Sequence, residues 1–280
     1  MTLYDLMIKR RSVRCFKDKE IPDEILDKLI QAANNAPSGG NIQPISIIII
    51  KKIEGKKKLT EFVGGQPWVE NAPLSMIFCI DFYRIKKWAF EFDTNFQGEN
   101  SLSHFLIAYA DLMCAAQNVV ILAESYGLGS VYVGSIQSKI DDTREYFSIP
   151  NYVLPMMVLS IGYPESIPKF IPKLKHNVIA HEEKYRTLSN DEIIKDYNIK
   201  YGDFDENVDK YLEKAYIEVV EAFKQDKTSW IKIVKKRMKK LEIKNHAQFL
   251  FKLRYPSKAM VELNEKQVQA FKNAEFNFVK

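Results

Sequence analysis

The chain has 280 residues, 41 Lys and Arg against 36 Asp and Glu, 46% hydrophobic and 12% aromatic residues. That apolar content excludes wholesale disorder, and eleven Gly and eleven Pro exclude a fibrous or low-complexity chain. Asp111, Gln117, Asn118 and Glu124 interrupt the best candidate for a membrane helix, and the N-terminal charges follow a short amphipathic stretch instead of preceding an apolar one. The expectation is a cytoplasmic protein of one large or two smaller domains.

Thr2 and Asp5 predict a capped helix start, with Leu3, Leu6 and Met7 on its apolar face. Pro22, Asp23 and Glu24 open a second helix that carries Ile25, Leu26, Leu29, Ile30 and Ala33 at helical spacing. Ala36 to Asn41 has loop composition, and Ile45 to Ile50 is an apolar run suited to a buried strand. Leu74 to Ile80 is a second strand candidate. The longest helical pattern runs from His104 to Tyr126, apolar around much of its circumference. Ser130 to Ile136 and Leu154 to Ile161 are further strands, with a short helix at Asp141 to Phe147 between them. Strands and helices in this order predict a three-layer sheet-and-helix core.

After Pro172 no strand is expected, and Val208 to Phe223, Ser229 to Ile243 and Asn264 to Phe276 have helical periodicity. The reading is a domain over residues 1–185 and a helical extension over 186–280, whose many aromatics predict folding onto something. Charge is uneven. Lys224 to Lys258 holds twelve basic residues against Asp226 and Glu242, a net of +10, which leaves −5 for the remainder. Cys15, Cys79 and Cys114 are odd in number and far apart, so buried thiols are expected instead of a disulfide framework.

Several chemistries lack their residues. Gly127 to Gly134 fails as a dinucleotide fingerprint because the third glycine would fall at Tyr132, and it follows a helix where a strand is required. It fails as a phosphate-binding P-loop because Ser135-Ile136 stands where Lys-Ser/Thr is needed; a glycine stop for the long helix fits better. His104, His176, His181 and His246 form no metal-ligand spacing.

Two segments do carry chemistry. Arg10-Arg11-Ser12-Val13-Arg14 sets three guanidinium groups and a hydroxyl within five residues, suited to an oxyanion. In an extended stretch Arg10, Ser12 and Arg14 point the same way. The other reading is that these arginines complement the negative end of the first helix. Pro37-Ser38-Gly39-Gly40-Asn41-Ile42-Gln43-Pro44 can bring backbone close to a flat ligand, or be an ordinary helix-to-strand connection.

In order, helix, RRSVRxF, helix, APSGGNxQP, apolar strand, long helix, GLGSVYVG, strand and IGYP resemble the nitroreductase family of FMN-dependent oxidoreductases over residues 1–185. The resemblance implies an α+β sandwich around a mainly antiparallel sheet, assembled as an intertwined homodimer with FMN at the interface. It implies that Arg10 and Ser12, with Arg11 and Val13 alongside, bind the phosphate and ribityl chain. Arg14 would face the pyrimidine edge of the flavin. Pro37, Ser38, Gly39 and Asn41 would lie against the ring from the partner, and Val133, Gly134 and Ser135 would approach N5 and O4. Lys173 matches the basic residue that closes on the phosphate, with Lys175 as its competitor. Ile45 stands where the family often has Trp, and Lys173 where Arg is common.

The function so implied is transfer of electrons from NADH or NADPH through FMN to a small organic acceptor, nitroaromatic or quinone, by a ping-pong mechanism. The chemistry is carried by the cofactor, so no catalytic side chain is nominated. Reductive dehalogenation on the same scaffold is an alternative. So is a binding protein that engages nucleic acid or an anionic membrane through the basic helix around Trp230 to Leu241.

Overall fold

The computed structural model describes residues 2–170, 172–202, 212, 220, 223 and 226–278. The chain divides into two compact units, Met1–Pro168 with Glu262–Lys280, and Lys169–Val261.

The first unit opens with α1 (Leu3–Lys9), started by a capping box in which the Asp5 N–H donates to Thr2 Oγ1 and the Thr2 N–H to the Asp5 carboxylate. Helix α2 (Asp23–Asn34) buries Leu26, Leu29 and Ala33. Four antiparallel strands follow in the spatial order β1-β2-β4-β3: β1 (Ile45–Ile50), β2 (Leu74–Asp81), β3 (Gly129–Val133) and β4 (Val153–Gly162). All eight residues of β2 are buried, so both faces of the sheet need cover. Leu74, Met76, Phe78 and Ile80 join the cluster that holds Leu29 of α2 and Leu112 and Val119 of α6 (Leu102–Ser125). The alternate residues face the other way, where Ser75 Oγ donates to the Val69 carbonyl of α4 (Pro67–Asn71). Helices α3 (Ile53–Phe62) and α7 (Ile140–Tyr146) complete the covering, and α5 (Tyr83–Glu91) follows β2.

Ser101 starts α6 three residues ahead of the expected His104, its hydroxyl accepting the His104 N–H. Gly127 ends the helix with φ 71°. By length and composition alone α6 qualifies as a membrane span despite its four polar interruptions. In this fold it packs on α2, β2 and β3 as a domain helix. The strand expected to reach Ile136 stops at Val133. There the chain turns into a 3₁₀ segment, Gly134–Ser138, because the Ser135 hydroxyl bonds to Val63 and the Ser138 hydroxyl to the Ser135 carbonyl. Helices α3, α4 and α5 were not read from the sequence; Gly55 and the lysine run 56–58 obscure the period of α3. Of the cysteines, Cys79 is buried as expected, Cys15 is half-buried and Cys114 is exposed.

The second unit contains α8 (His176–Ile179), α9 (Asn190–Tyr201), α10 (Lys227–Lys240) and α11 (His246–Gln248), the last continuing as a π-helical turn to Arg254. No strand follows Pro172 among the described residues. The helix expected over Val208 to Phe223 lies mostly outside them. Met238 of α10, Leu212 and Phe249 form the buried cluster of this unit, with Trp230, Ile231 and Val234 packed against it. His246 stacks on Tyr201, ring centroids 4.0 Å apart.

Helix α12 (Ser257–Asn273) ends in the first unit, where Glu275 takes φ 64° and the chain turns. Phe276 is fully buried and stacks on Phe82 at 5.5 Å, the Tyr152 N–H donates to the Ala274 carbonyl, and the Asn277 N–H donates to the Glu99 carbonyl. Beneath this segment lies the ion pair of half-buried Lys86 with buried Glu99. Phe276→Ala should therefore cost about 3–5 kcal/mol, measured by denaturant unfolding. Burial, with the charges of Arg254 and Lys200, lowers the His246 imidazole from 6.5 to about 4. The folded chain keeps His246 neutral, whereas the unfolded chain protonates it first as pH falls. Stability from this group is complete above 6.5 and is lost on descent toward 4. His246→Phe should flatten the pH dependence of unfolding across that window.

Candidate functional site

The segment Arg10–Arg14 leaves α1 at its C-cap and runs extended beside β3. Ser12 bridges Ser130 in parallel, and the Val13 N–H donates to the Ser130 carbonyl at 3.0 Å. Val13 is buried over Gly129, where an added Cβ would lie 2.4 Å from Val13 Cγ2. Val13 thus holds the segment, and backbone alternation puts Ser12 and Arg14 on the opposite face.

The three arginines divide their work. Arg11 Nη1 donates to the carbonyls of Ile8 and Arg10 at 2.9 and 2.8 Å, satisfying the C-terminal end of α1. Arg14 lies with its guanidinium carbon 5.5 Å from the centroid of the Trp68 ring. Arg10 is half-buried; its backbone caps α1, its N–H donating to the Leu6 carbonyl, but its guanidinium makes no hydrogen bond or ion pair among the described residues. Its charge reaches Glu124 and Tyr132: burial pushes the Glu124 carboxyl up while Arg10 and Arg11 oppose it, and burial pushes the Tyr132 phenol to about 12 against Arg10. The Tyr132 hydroxyl donates to Gln117 Oε1 at 3.2 Å.

At the far end of β3, Val133 is buried, Gly134 is exposed and Ser135 is half-buried. Ser135 Oγ donates to the Val63 carbonyl and accepts from Gln66 Nε2, both at 2.8 Å. A Cβ added to Gly134 would meet only Met157 Cε, at 3.7 Å. The chain's own packing therefore does not require glycine there, and the backbone lies open to approach.

The second segment sits elsewhere. Pro37, Gly39, Gly40 and Asn41 are exposed, and Ser38 is half-buried. Ser38 Oγ donates to Asp111 Oδ2 at 2.7 Å, and the Gly39 N–H donates to both Asp111 oxygens at 3.1 and 3.2 Å. Asp111 precedes Glu124 by thirteen residues on α6, about 20 Å along the axis. Among the described residues no hydrogen bond joins this loop to Arg10–Arg14. Lys173 and Lys175 are exposed residues of the second unit.

The edge of β3 fits a flat, phosphate-bearing cofactor such as FMN. The Arg10 guanidinium and the Ser12 hydroxyl have no hydrogen-bond partner among the described residues, and the open Gly134 backbone lies at the other end of the same strand. The sequence model of the Nitroreductase family matches residues 7–163. The chain belongs to this family. The FMN reductase [NAD(P)H] of Bacillus subtilis (strain 168) is 34% identical over 206 residues, 73% of this chain and 80% of that protein. The structure of B. megaterium NfrA2 aligns at a TM-score of 0.71 and 31% identity, covering 81% of this chain and 93% of that one. The NADPH:FMN oxidoreductase from Vibrio harveyi complexed with NAD+ aligns at 0.66 and 27% identity, covering 80% and 92%.

The matched nitroreductase range holds both segments, and Lys173 lies beyond it. Three residues at these places escaped sequence reading. Gln66 and Trp68 are separated by Pro67 in a short helix too brief to show periodicity. Asp111 did carry a signal, a carboxylate in the middle of an apolar helix. Gly129→Ala should lose about 1–3 kcal/mol of stability through collision with Val13. Gly134→Ala should stay within about 0.5 kcal/mol, and thermal unfolding of the two variants checks the contrast.

Proposed function

We propose that this chain is an FMN-dependent oxidoreductase that takes electrons from NADH or NADPH and passes them to a small organic acceptor of the nitroaromatic or quinone type. One site serves both substrates in turn. The observation that carries this reading is the pair of unsatisfied side-chain donors, Arg10 and Ser12, on a strand-like segment whose neighbour β3 is followed by an exposed glycine, Gly134.

Arg10 and the Ser12 hydroxyl would hold the phosphate end, with charge-assisted hydrogen bonds from the guanidinium. Lys173 would add a cation there, with Lys175 as the alternative. Arg14, steadied by Trp68, is assigned to the pyrimidine edge, where a permanent cation favours the more negative reduced form. Val133, Gly134 and Ser135 offer backbone to the reactive edge of the ring, and the internal bonds of Ser135 to Val63 and Gln66 keep that backbone in place. Bound FMN would supply the two-electron chemistry between nicotinamide and acceptor.

A homodimer completes the proposal. The Pro37–Asn41 loop sits about 20 Å along α6 from the Arg10 end, which favours its serving the site of a partner copy. Leu3, Tyr4, Met7 and Ile8 of α1 and Leu106 and Ile107 of α6 are exposed apolar groups that such an interface would cover. The apolar residues Ile231, Val234 and Met238 of α10 are engaged inside the second unit, so they do not favour membrane insertion by that helix.

The purified protein should be yellow, carry one FMN per chain, sediment as a dimer and oxidise NADH or NADPH. Arg14→Ala should weaken FMN binding about tenfold or more and lower the potential of the bound flavin. Colourless protein, or Arg14→Ala with unchanged affinity and potential, would overturn the assignment.

A further inference from the structure

The buried carboxylate of Asp111 has no evident use to the helix that carries it. It stands among Ala108, Leu112 and Ala115 of α6, all buried, and is itself 8% exposed. A buried carboxylate is costly unless its oxygens are bonded. Among the described residues no ion pair reaches it. Its hydrogen bonds come from one loop only, through the Ser38 hydroxyl and the Gly39 N–H.

That loop needs holding. Gly40, Asn41 and Gln43 have φ of 59°, 55° and 52°, so three of four consecutive positions are left-handed and two of those lack the freedom of glycine. Strained backbone persists only where surrounding contacts over-determine it, and it concentrates at functional sites. Here the contacts form a relay. Asp111 accepts from Ser38 Oγ, and the same Ser38 oxygen accepts the Gln43 N–H at 2.9 Å, closing the loop on itself. Gln43 Nε2 donates to the Asn34 carbonyl, and Arg84 Nη2 donates to the Gln43 carbonyl at 2.7 Å. Gly39 lies so close to α6 that a Cβ would come 2.8 Å from Ile107 Cγ2. The Ser38 hydrogen is committed to Asp111, and the Gly39 N–H and carbonyl and the Asn41 N–H are bonded within the loop or to Asp111. What the loop presents outward is therefore exposed backbone centred on Gly40.

We infer that Asp111 is a positioning residue: through Ser38 it sets the backbone of residues 39–43, left-handed at Gly40, Asn41 and Gln43, and that backbone, not the Ser38 side chain, is what the loop offers to the cofactor ring. The inference rests on the proposed placement of this loop against FMN. A core position would be served by any residue of similar size, whereas this role requires the carboxylate.

The test uses full-length holoprotein with Asp111→Asn, Ser38→Ala and, as a comparator, Ser75→Ala, which removes a buried sheet hydrogen bond to Ser160. Three measurements are taken: amide hydrogen exchange of residues 39–43, visible circular dichroism of bound flavin, and kcat and KM for NADPH. The expected result is exchange in that segment faster by tenfold or more in Asp111→Asn and Ser38→Ala. Their flavin dichroism should change and kcat/KM should fall at least fivefold, while Ser75→Ala lowers the melting temperature without these changes. If Asp111→Asn does not fold, Ser38→Ala decides alone. Faster exchange with wild-type dichroism and kinetics would leave Asp111 purely structural and overturn the inference. Unchanged exchange would overturn it at its first step. Wild-type protein that binds no FMN, with accelerated exchange in the two variants, would refute the placement against the ring while preserving the clamp, so the two failures are distinguishable. Loss of FMN from the variants alone would support the placement.

Discussion

Strand β2 is buried along its whole length, and everything else in the first unit answers that constraint. Water is excluded from both faces, so helices must lie on each side, α2 and α6 on one and the α3–α4 pair on the other. Its polar side chains are accommodated in place, Ser75 by Ser160 and Asp81 by Ser46 and the Arg84 N–H. The covering elements then become the walls of the candidate site. Val63 follows α3 and Gln66 caps α4, and both bond to Ser135 just past the end of β3, while Trp68 in α4 meets Arg14.

A sheet of four strands leaves two edges, and the two fare differently. Beside β3 the segment Ser12 to Phe16 adds bridges to Ser130 and Pro164, blunting an edge that would otherwise offer its backbone to other chains. The same pairing turns the residues between α1 and α2 from a connection into a ligand-facing row. Structure and proposed chemistry thus depend on one contact, that of Val13 with Ser130 and Gly129. A change there would disturb edge protection and donor alignment together.

The arginine cluster illustrates how one motif holds two physical roles. Helix-end complementation and anion binding were competing explanations, and the fold distributes them: Arg11 serves the carbonyls of α1, while Arg10 keeps its donors unengaged. In the second unit α10 shows a comparable division. Its apolar side builds the cluster around Met238 and Phe249, and Lys232, Lys235, Lys236, Lys239 and Lys240 are exposed. The basic charge of that stretch follows from a helix buried on one side only.

Read alone, the residues determined what depends on local order. The capping box at Thr2, the glycine stop at Gly127, β1 to the residue and the layering of sheet and helices all follow from periodicity and short-range hydrogen bonding, which need no distant partner. The nitroreductase resemblance was readable for the same reason, since its motifs are contiguous stretches in a set order. What only the tertiary structure decided involves groups far apart in the chain. These are the meeting of Arg14 with Trp68, the bonding of Ser135 with Gln66, the clamping of Ser38 by Asp111, and the return of Phe276 to stack on Phe82. Such contacts have no period and no spacing, because they arise when separate elements are pressed together by a buried strand. An aspartate inside an apolar helix looks like an interruption until a loop folds back to occupy its oxygens.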